Sequence, residues 1–369
     1  MLTALAVTAA ITAGCGGSNR AAGSATEIEG GDALAQVDCD GPRRATAQEW
    51  VTPITEDPTP SLPVTVTDFT GEQVTVTDTS RILALDNYGT LATTVYALGL
   101  GDRLVGRDVS TGVPALADLP VVTHNGHELA AEAILDLDPT VVLTDYSIGP
   151  LEVQLQLKES GIPVVVLDSQ RSRAVIGEQI TAVAETLGVP DVGKELAGAV
   201  TAQVAEAEAD VAEMSVAEES GTATSGEPMS AERSGMRTVF LYLRGRSGVY
   251  QWFGKGSGAD DLMDALRLHD VASEVGLEGA RPLNAEGLVK AEPDLYLMMS
   301  DGLESVGGVD GLLEIPGVAD TAAGATGCVV DMADAQILSF GPQFPATLRA
   351  LGDAIYGPDG VIDRPDTPS

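Results

Sequence analysis

The sequence predicts an α/β protein of two similar lobes, each a central, mostly parallel sheet flanked by helices, joined by a long rigid connecting helix. Three observations carry that expectation. Short apolar runs alternate with amphipathic helical patterns on both sides of the chain's midpoint. A segment of one half recurs in the other without a gap, Leu129–Leu143 aligning with Leu283–Leu297, 154 positions downstream. Between the halves runs an Ala- and Glu-rich helical stretch from Arg173 to about Met214, broken only around Pro190.

Taken in order, Met1–Gly14 is a short apolar run ending in small residues directly before Cys15, which reads as a processing segment rather than a fold element. Residues 16–63 are rich in Gly, Ser, Ala, Thr and Pro, and are expected to form a flexible tether. The first lobe, residues 64–170, opens with Val64–Asp78, where β-branched residues alternate around a Gly-containing turn, the signal of a hairpin. Arg81–Leu85 then reads as a buried strand and Tyr88–Leu98 as a helix closed by Gly99 and Gly101. Helices over Leu129–Leu137 and Leu151–Ser160 alternate with strands over Val141–Thr144 and Val164–Leu167. Residues 171–214 are the expected connecting helix, 215–235 a flexible polar insertion, 236–358 the second lobe opening on the strand Thr238–Leu243, and 359–369 a tail.

The repeat has physical content. In each copy a helix carrying an acidic residue, Glu132 or Glu286, is stopped by a proline, Pro139 or Pro293, and a buried strand follows.

Composition bounds the function. A chain of 369 residues with 44% hydrophobic content can bury a large core. With 55 acidic against 20 basic residues, a net charge of −35 argues against a nucleic-acid partner, which requires a concentrated positive surface. The same acidity is also compatible with a compositional habit of the source. No stretch beyond the N-terminal run approaches the roughly 20 continuous apolar residues of a membrane span. With Cys15 set aside, Cys39 and Cys328 permit one disulfide or two free thiols. Enzyme signatures are absent: there is no Gly-x-Ser-x-Gly, no His-Glu-x-x-His, and in Gly254–Gly258 the serine falls one place too late after Lys255 for a phosphate loop.

Chemistry concentrates in two places. Phe240–Gly248 begins as a strand and opens into a Gly-rich loop, so Tyr242 and Arg244, at i and i+2, project from one face. Only three histidines occur; His124 and His127 share one loop just before the first repeat helix, and His269 sits in a helix-to-loop segment with a structural look. A tyrosine phenolate is a hard ligand for ferric haem, and histidine is another haem axial ligand.

The order of hairpin, α/β lobe, long helix and second α/β lobe over about residues 64–358, with the acidic helix, proline and strand once per lobe, resembles the helical-backbone (class III) substrate-binding proteins of ABC importers, which include receptors for cobalamin, ferric siderophores and haem. The resemblance implies a ligand cleft between the lobes and docking of Glu132 and Glu286 against arginines of the permease. One lobe's histidine and the other lobe's tyrosine, followed two residues later by arginine, resemble the haem-uptake receptors of Gram-positive actinobacteria. Carried over, His127 and Tyr242 become the axial ligands of the haem iron, with His124 as the alternative to His127, and Arg244 stands beside the phenol. Arg107, Tyr146, Arg246, Tyr250 and Trp252 are further expected cleft residues. The ligand implied is haem b, with a ferric siderophore or cobalamin as the alternative. The implied partners are an ABC permease with its ATPase and haem donor proteins at the cell surface. Small residues before Cys15 resemble the lipobox of bacterial lipoproteins, although no Lys or Arg precedes the apolar run and Thr12 stands where Leu is usual. Lipidated Cys15 would anchor a monomer to the outer face of the cell membrane; an ordinary signal peptide is the alternative.

Overall fold

The computed structural model describes residues 39–357 apart from residues 40, 49, 125 and 221–234. The expected signal segment with Cys15 and the expected tail at 359–369 lie outside the described residues.

The chain enters through β1 (Pro42–Ala45). The first lobe contains β2 (Val64–Thr67), β3 (Gln73–Val76), β4 (Ile82–Leu85), β5 (Thr123–His124), β6 (Glu128–Leu129), β7 (Val141–Thr144) and β8 (Val164–Val166). Its central sheet is parallel in the order β4-β7-β8. These strands are buried along their whole length, which is why they read as continuous apolar runs rather than alternating ones. The β2–β3 hairpin does alternate, and its turn is held by Asp68, whose carboxylate accepts from the Thr70 and Glu72 amides.

The second lobe contains β9 (Arg237–Arg244), β10 (Val249–Phe253), β11 (His269–Asp270), β12 (Ala280–Pro282), β13 (Leu295–Met299) and β14 (Val329–Met332). Its sheet runs β1-β14-β13-β9-β10-β12, with β11 also pairing β9. The β1, β14, β13 and β9 pairings are parallel, whereas β10 pairs antiparallel to both its neighbours.

The internal repeat is structural as well as textual. Its helices, Ala131–Asp136 and Ala285–Ala291, are each followed by a proline and a buried parallel strand. The residue before each proline, Asp138 or Glu292, adopts the same left-handed backbone, φ 45° in both, uncommon outside glycine. An arginine from the start of the neighbouring strand closes each helix: Arg81 donates to the Leu137 and Asp138 carbonyls, Arg237 to those of Ala291 and Glu292. Leu129 itself belongs to β6, so the first helix starts two residues later than the periodicity suggests.

Three expectations about organisation are corrected. Residues 41–63 are not a structureless tether. β1 adds to the sheet edge beside β14, Arg44 pairs with Asp331 at 2.7 Å, and the Ile54 and Ser61 amides bond the carbonyls of Ala97 and Gly188. A charged edge strand opening on proline carries no apolar periodicity, so composition alone misreads it. Cys39 is joined to Cys328 by a disulfide, Cα–Cα 5.3 Å, which fixes the start of this arm to the second lobe.

The connector is two helices, Ile176–Thr186 and Pro190–Ser220. They pack back on one another: a Cβ at Gly193 would lie 2.2 Å from that of Ala184, and Gly177 faces Thr201 and Ala197. Gly188, at φ 74°, makes the reversal, and Pro190 starts the second helix. That helix of 31 residues, about 46 Å long by its rise per residue, then runs along Phe344–Tyr356, where Gly352 admits Val211 and Met214 and Arg349 pairs with Asp210. It also continues through Ser220, so the expected insertion at 215–235 is helical in its first part; residues 221–234 lie outside the described residues.

Candidate functional site

The carboxyl ends of β4 and β7 run directly into Asp86 and Asp145, both fully buried. Arg171, four residues beyond Leu167, reaches back between them, its Nη2 lying 3.1 Å from Asp86 Oδ2 and 2.8 Å from Asp145 Oδ2. Its guanidinium also covers the Tyr88 ring at 4.7 Å. Burial pushes the Asp86 carboxyl up, Arg171 opposes that shift, and the Asp145 carboxylate adds to it. Asp86 also accepts from the Thr90 and Leu91 amides, so it caps the helix Thr90–Val95. Asp108 completes this floor, accepting from the Asp86 amide at 3.2 Å and the Thr111 amide at 2.8 Å. Burial, and after it the Asp86 carboxylate, pushes the Asp108 carboxyl up to about 7.

Above the floor stands the β5–β6 hairpin, with His124 opposite Glu128 and His127 in the turn. The structure separates the two histidines. His124 is exposed, its Nε2 3.4 Å from the Glu128 carboxylate. His127 is half-buried, with Nδ1 3.4 Å from Ser110 Oγ. Burial lowers the His127 pKa, and the Arg244 charge lowers it further, so a residue of the first lobe feels the charge of one from the second.

On the second lobe, Tyr242 lies near the carboxyl end of β9, half-buried and stacked on Phe253 at 5.5 Å and 13°. Phe253 in turn stacks on Phe240, two residues before Tyr242 on the same strand face. The Arg244 guanidinium sits over the Tyr242 ring, 4.5 Å from its centroid, and Nη2 pairs with Asp334 at 2.7 Å. Arg244 therefore meets the tyrosine through the face of the ring, not the hydroxyl. Burial pushes the Asp334 carboxyl up, with Arg244 as the main opposing influence.

The other expected cleft residues fare differently. Both guanidinium arms of Arg107 are engaged by carbonyls, those of Asp108 and Ala117. Tyr146 is exposed and meets Phe69 edge to face at 6.4 Å. Arg246 is exposed in the turn after β9. Tyr250 and Trp252 are corrected: alternation along β10 puts them on the face opposite Phe253, in the second lobe's separate core. Trp252 there packs against Gly287 of the repeat helix. Glu132 and Glu286 are both exposed in the first turns of their helices. His269 pairs with Glu274 on the surface.

Sequence reasoning missed Asp86, Asp145, Arg171, Ser110, Phe253 and Asp334. For the first two a signal existed, since an acid directly follows each buried strand at the sheet end where α/β ligands gather.

The chemical character follows. A phenol and an imidazole stand on opposite lobes, while the buried floor pairs Arg171 with Asp86 and Asp145 and leaves the Arg171 Nε without a hydrogen-bond partner. The phenol and imidazole suit a bulky ligand bringing its own metal.

The periplasmic binding protein family profile matches residues 88–335. Among solved structures, the heme binding protein HmuT is 42% identical, covering 86% of this chain and 97% of its own, with a TM-score of 0.79. HmuT variants in which a histidine, a tyrosine or an arginine is replaced by alanine match as well, and the replaced tyrosine and arginine are two positions apart. The periplasmic heme-binding protein RhuT from Roseiflexus sp. RS-1 is 34% identical over 76% of this chain and 98% of its own, with a TM-score of 0.65. BhuT, solved in complex with two hemes, is 28% identical over 74% of this chain and 98% of its own, with a TM-score of 0.62. A comparison with curated proteins finds no match. A two-lobed α/β chain with a helical connector, matched in this way, is a binding protein and not an enzyme: it belongs to the periplasmic binding protein family.

Proposed function

We propose that this chain is the haem receptor of an ABC importer, holding haem b between its lobes with His127 and Tyr242 as axial ligands of the iron. The observation that carries this reading is Arg244 seated on the ring of Tyr242, two residues before it on the same strand face. The arginine two positions after the tyrosine has the same spacing as the pair replaced in HmuT. In this reading Tyr242 supplies an anionic oxygen to ferric iron and His127 a neutral nitrogen. Arg244, held by Asp334, sits on the Tyr242 ring and so orients it.

Delivery to a permease and its ATPase is assigned to Glu132 and Glu286, exposed at matching points of the repeat, where guanidinium groups of a partner can engage them. The chain acts on the outer face of the membrane as a monomer, receiving haem from donor proteins at the surface. Its anchor is the lipid on Cys15, a reading supported by the small residues Thr12-Ala13-Gly14 directly before that cysteine; among the described residues no helix is long and apolar enough to cross a membrane. The test is titration of the purified chain from Gly16 onward with ferric haem, cyanocobalamin and a ferric siderophore in parallel. The proposal expects a saturable Soret shift at one haem per chain and no saturable response to the others. Saturable binding of either alternative without a haem response contradicts it.

A further inference from the structure

We propose that Ser110 is a positioning residue for His127: its hydroxyl fixes the imidazole as the Nδ1–H tautomer and so presents an unprotonated Nε2 to the cleft. The purpose of this device rests on the haem reading above, but the geometry behind it does not. A serine hydroxyl has one proton and two lone pairs. Ser110 Oγ lies 2.9 Å from the carbonyl oxygen of Asn87, which can only accept, and 3.4 Å from His127 Nδ1. The single hydroxyl proton goes to Asn87, so the oxygen facing the ring can only accept. Nδ1 must then carry the ring proton, and Nε2 keeps its lone pair. This is the arrangement of a metal-binding histidine whose second nitrogen is oriented by an outer partner.

Ser110 is well anchored for such a task. Asp108 accepts from the Thr111 amide on one side, and the Val109 amide donates to Thr123 Oγ1 at 3.1 Å, tying the loop to the hairpin that carries His127. Asn87 is held by its amide donating to Ser147 Oγ at 3.0 Å, and Ser147 in turn donates to the buried Asp145. The chain passes so close at Gly89 that a Cβ there would lie 2.5 Å from the Ser110 carbonyl oxygen. His124 is in the opposite situation. Its Nε2 faces the Glu128 carboxylate, an acceptor only, so that nitrogen carries a proton and is closed to a metal.

The test is a long-range 1H–15N correlation spectrum of the haem-free chain labelled with 15N-histidine, at pH about 8, above the ordinary histidine range. The three histidines are assigned by His→Gln variants. The proposal expects protonated Nδ1 and bare Nε2 at His127, a shift toward the Nε2–H form in Ser110→Ala, and retention of the wild-type pattern in Ser110→Thr. Haem affinity should fall about 10–100-fold in Ser110→Ala and stay near wild type in Ser110→Thr. A wild-type His127 protonated at Nε2, or a pattern indifferent to Ser110→Ala, overturns the proposal. If the tautomer behaves as stated but neither Ser110→Ala nor His127→Ala changes haem affinity, the ligand role of His127 fails while the tautomer assignment stands.

Discussion

Arg244 lies over the ring of Tyr242, its guanidinium carbon 4.5 Å from the ring centroid, while one of its nitrogens is bound to Asp334. The stack orients the phenol from one side and Phe253 orients it from the other. Removing the arginine therefore does two things: it loosens the ring and leaves a largely buried carboxylate unpaired. Arg244→Ala should cost about 1–3 kcal/mol of stability in urea unfolding as well as haem affinity. Adding Asp334→Asn should recover part of the stability and none of the affinity. Arg244→Lys should behave more like Ala than like wild type, because an ammonium cannot stack as a plane.

Arg171 compensates two buried carboxylates with a single charge. Arg171→Met should destabilise the chain by about 3–5 kcal/mol at neutral pH, the usual effect of stranding buried charge. The deficit should shrink as pH falls, because burial raises the Asp86 carboxyl and so favours its protonation once the arginine is gone. Urea denaturation at two pH values measures both quantities.

Asp108 gives the pH dependence a definite sign. Its folded-state pKa of about 7 lies above the ordinary carboxylate value, so between the two the folded chain holds a proton that the unfolded chain has released. Stability is thus greatest at the acid end of that window and falls as pH rises through about 7, by at most about 1.4 kcal/mol per pH unit for one proton. Asp108→Asn should remove that slope, measured by thermal unfolding from pH 4.5 to 8.

These buried groups also mark the limit of what the sequence discloses. The central strands were legible because Ile82–Leu85, Val141–Thr144 and Leu295–Met299 are apolar on both faces, and the repeat was legible because its prolines and glutamates keep register. Tyr242 and Arg244 could be singled out because strand periodicity alone puts i and i+2 together. Arg171 could not, since its partners lie 85 and 26 positions away, and neither could Asp334, 90 positions from Arg244. Strand β1 was hidden for a related reason: a charged four-residue edge is defined by the partner it pairs with, Val329–Met332, not by its own pattern.

Glu132 and Glu286 separate capture from delivery. Both are exposed and remote from the cores, so Glu132→Lys and Glu286→Lys should leave haem binding and folding unchanged. Haem-dependent growth of cells carrying the importer should fall with either substitution and be abolished by both. Reduced haem affinity of the purified variants would remove the docking assignment.

The central claim is that the iron is held between the lobes by Tyr242 and His127. The most direct test is the Soret and charge-transfer spectrum of ferric haem bound to the wild type, Tyr242→Ala and His127→Ala. Both variants should alter the spectrum, and Tyr242→Ala should weaken binding more, because a phenolate contributes charge as well as a bond to ferric iron. Spectra and affinities unchanged by both substitutions, or a greater loss from His127→Ala, would contradict the account.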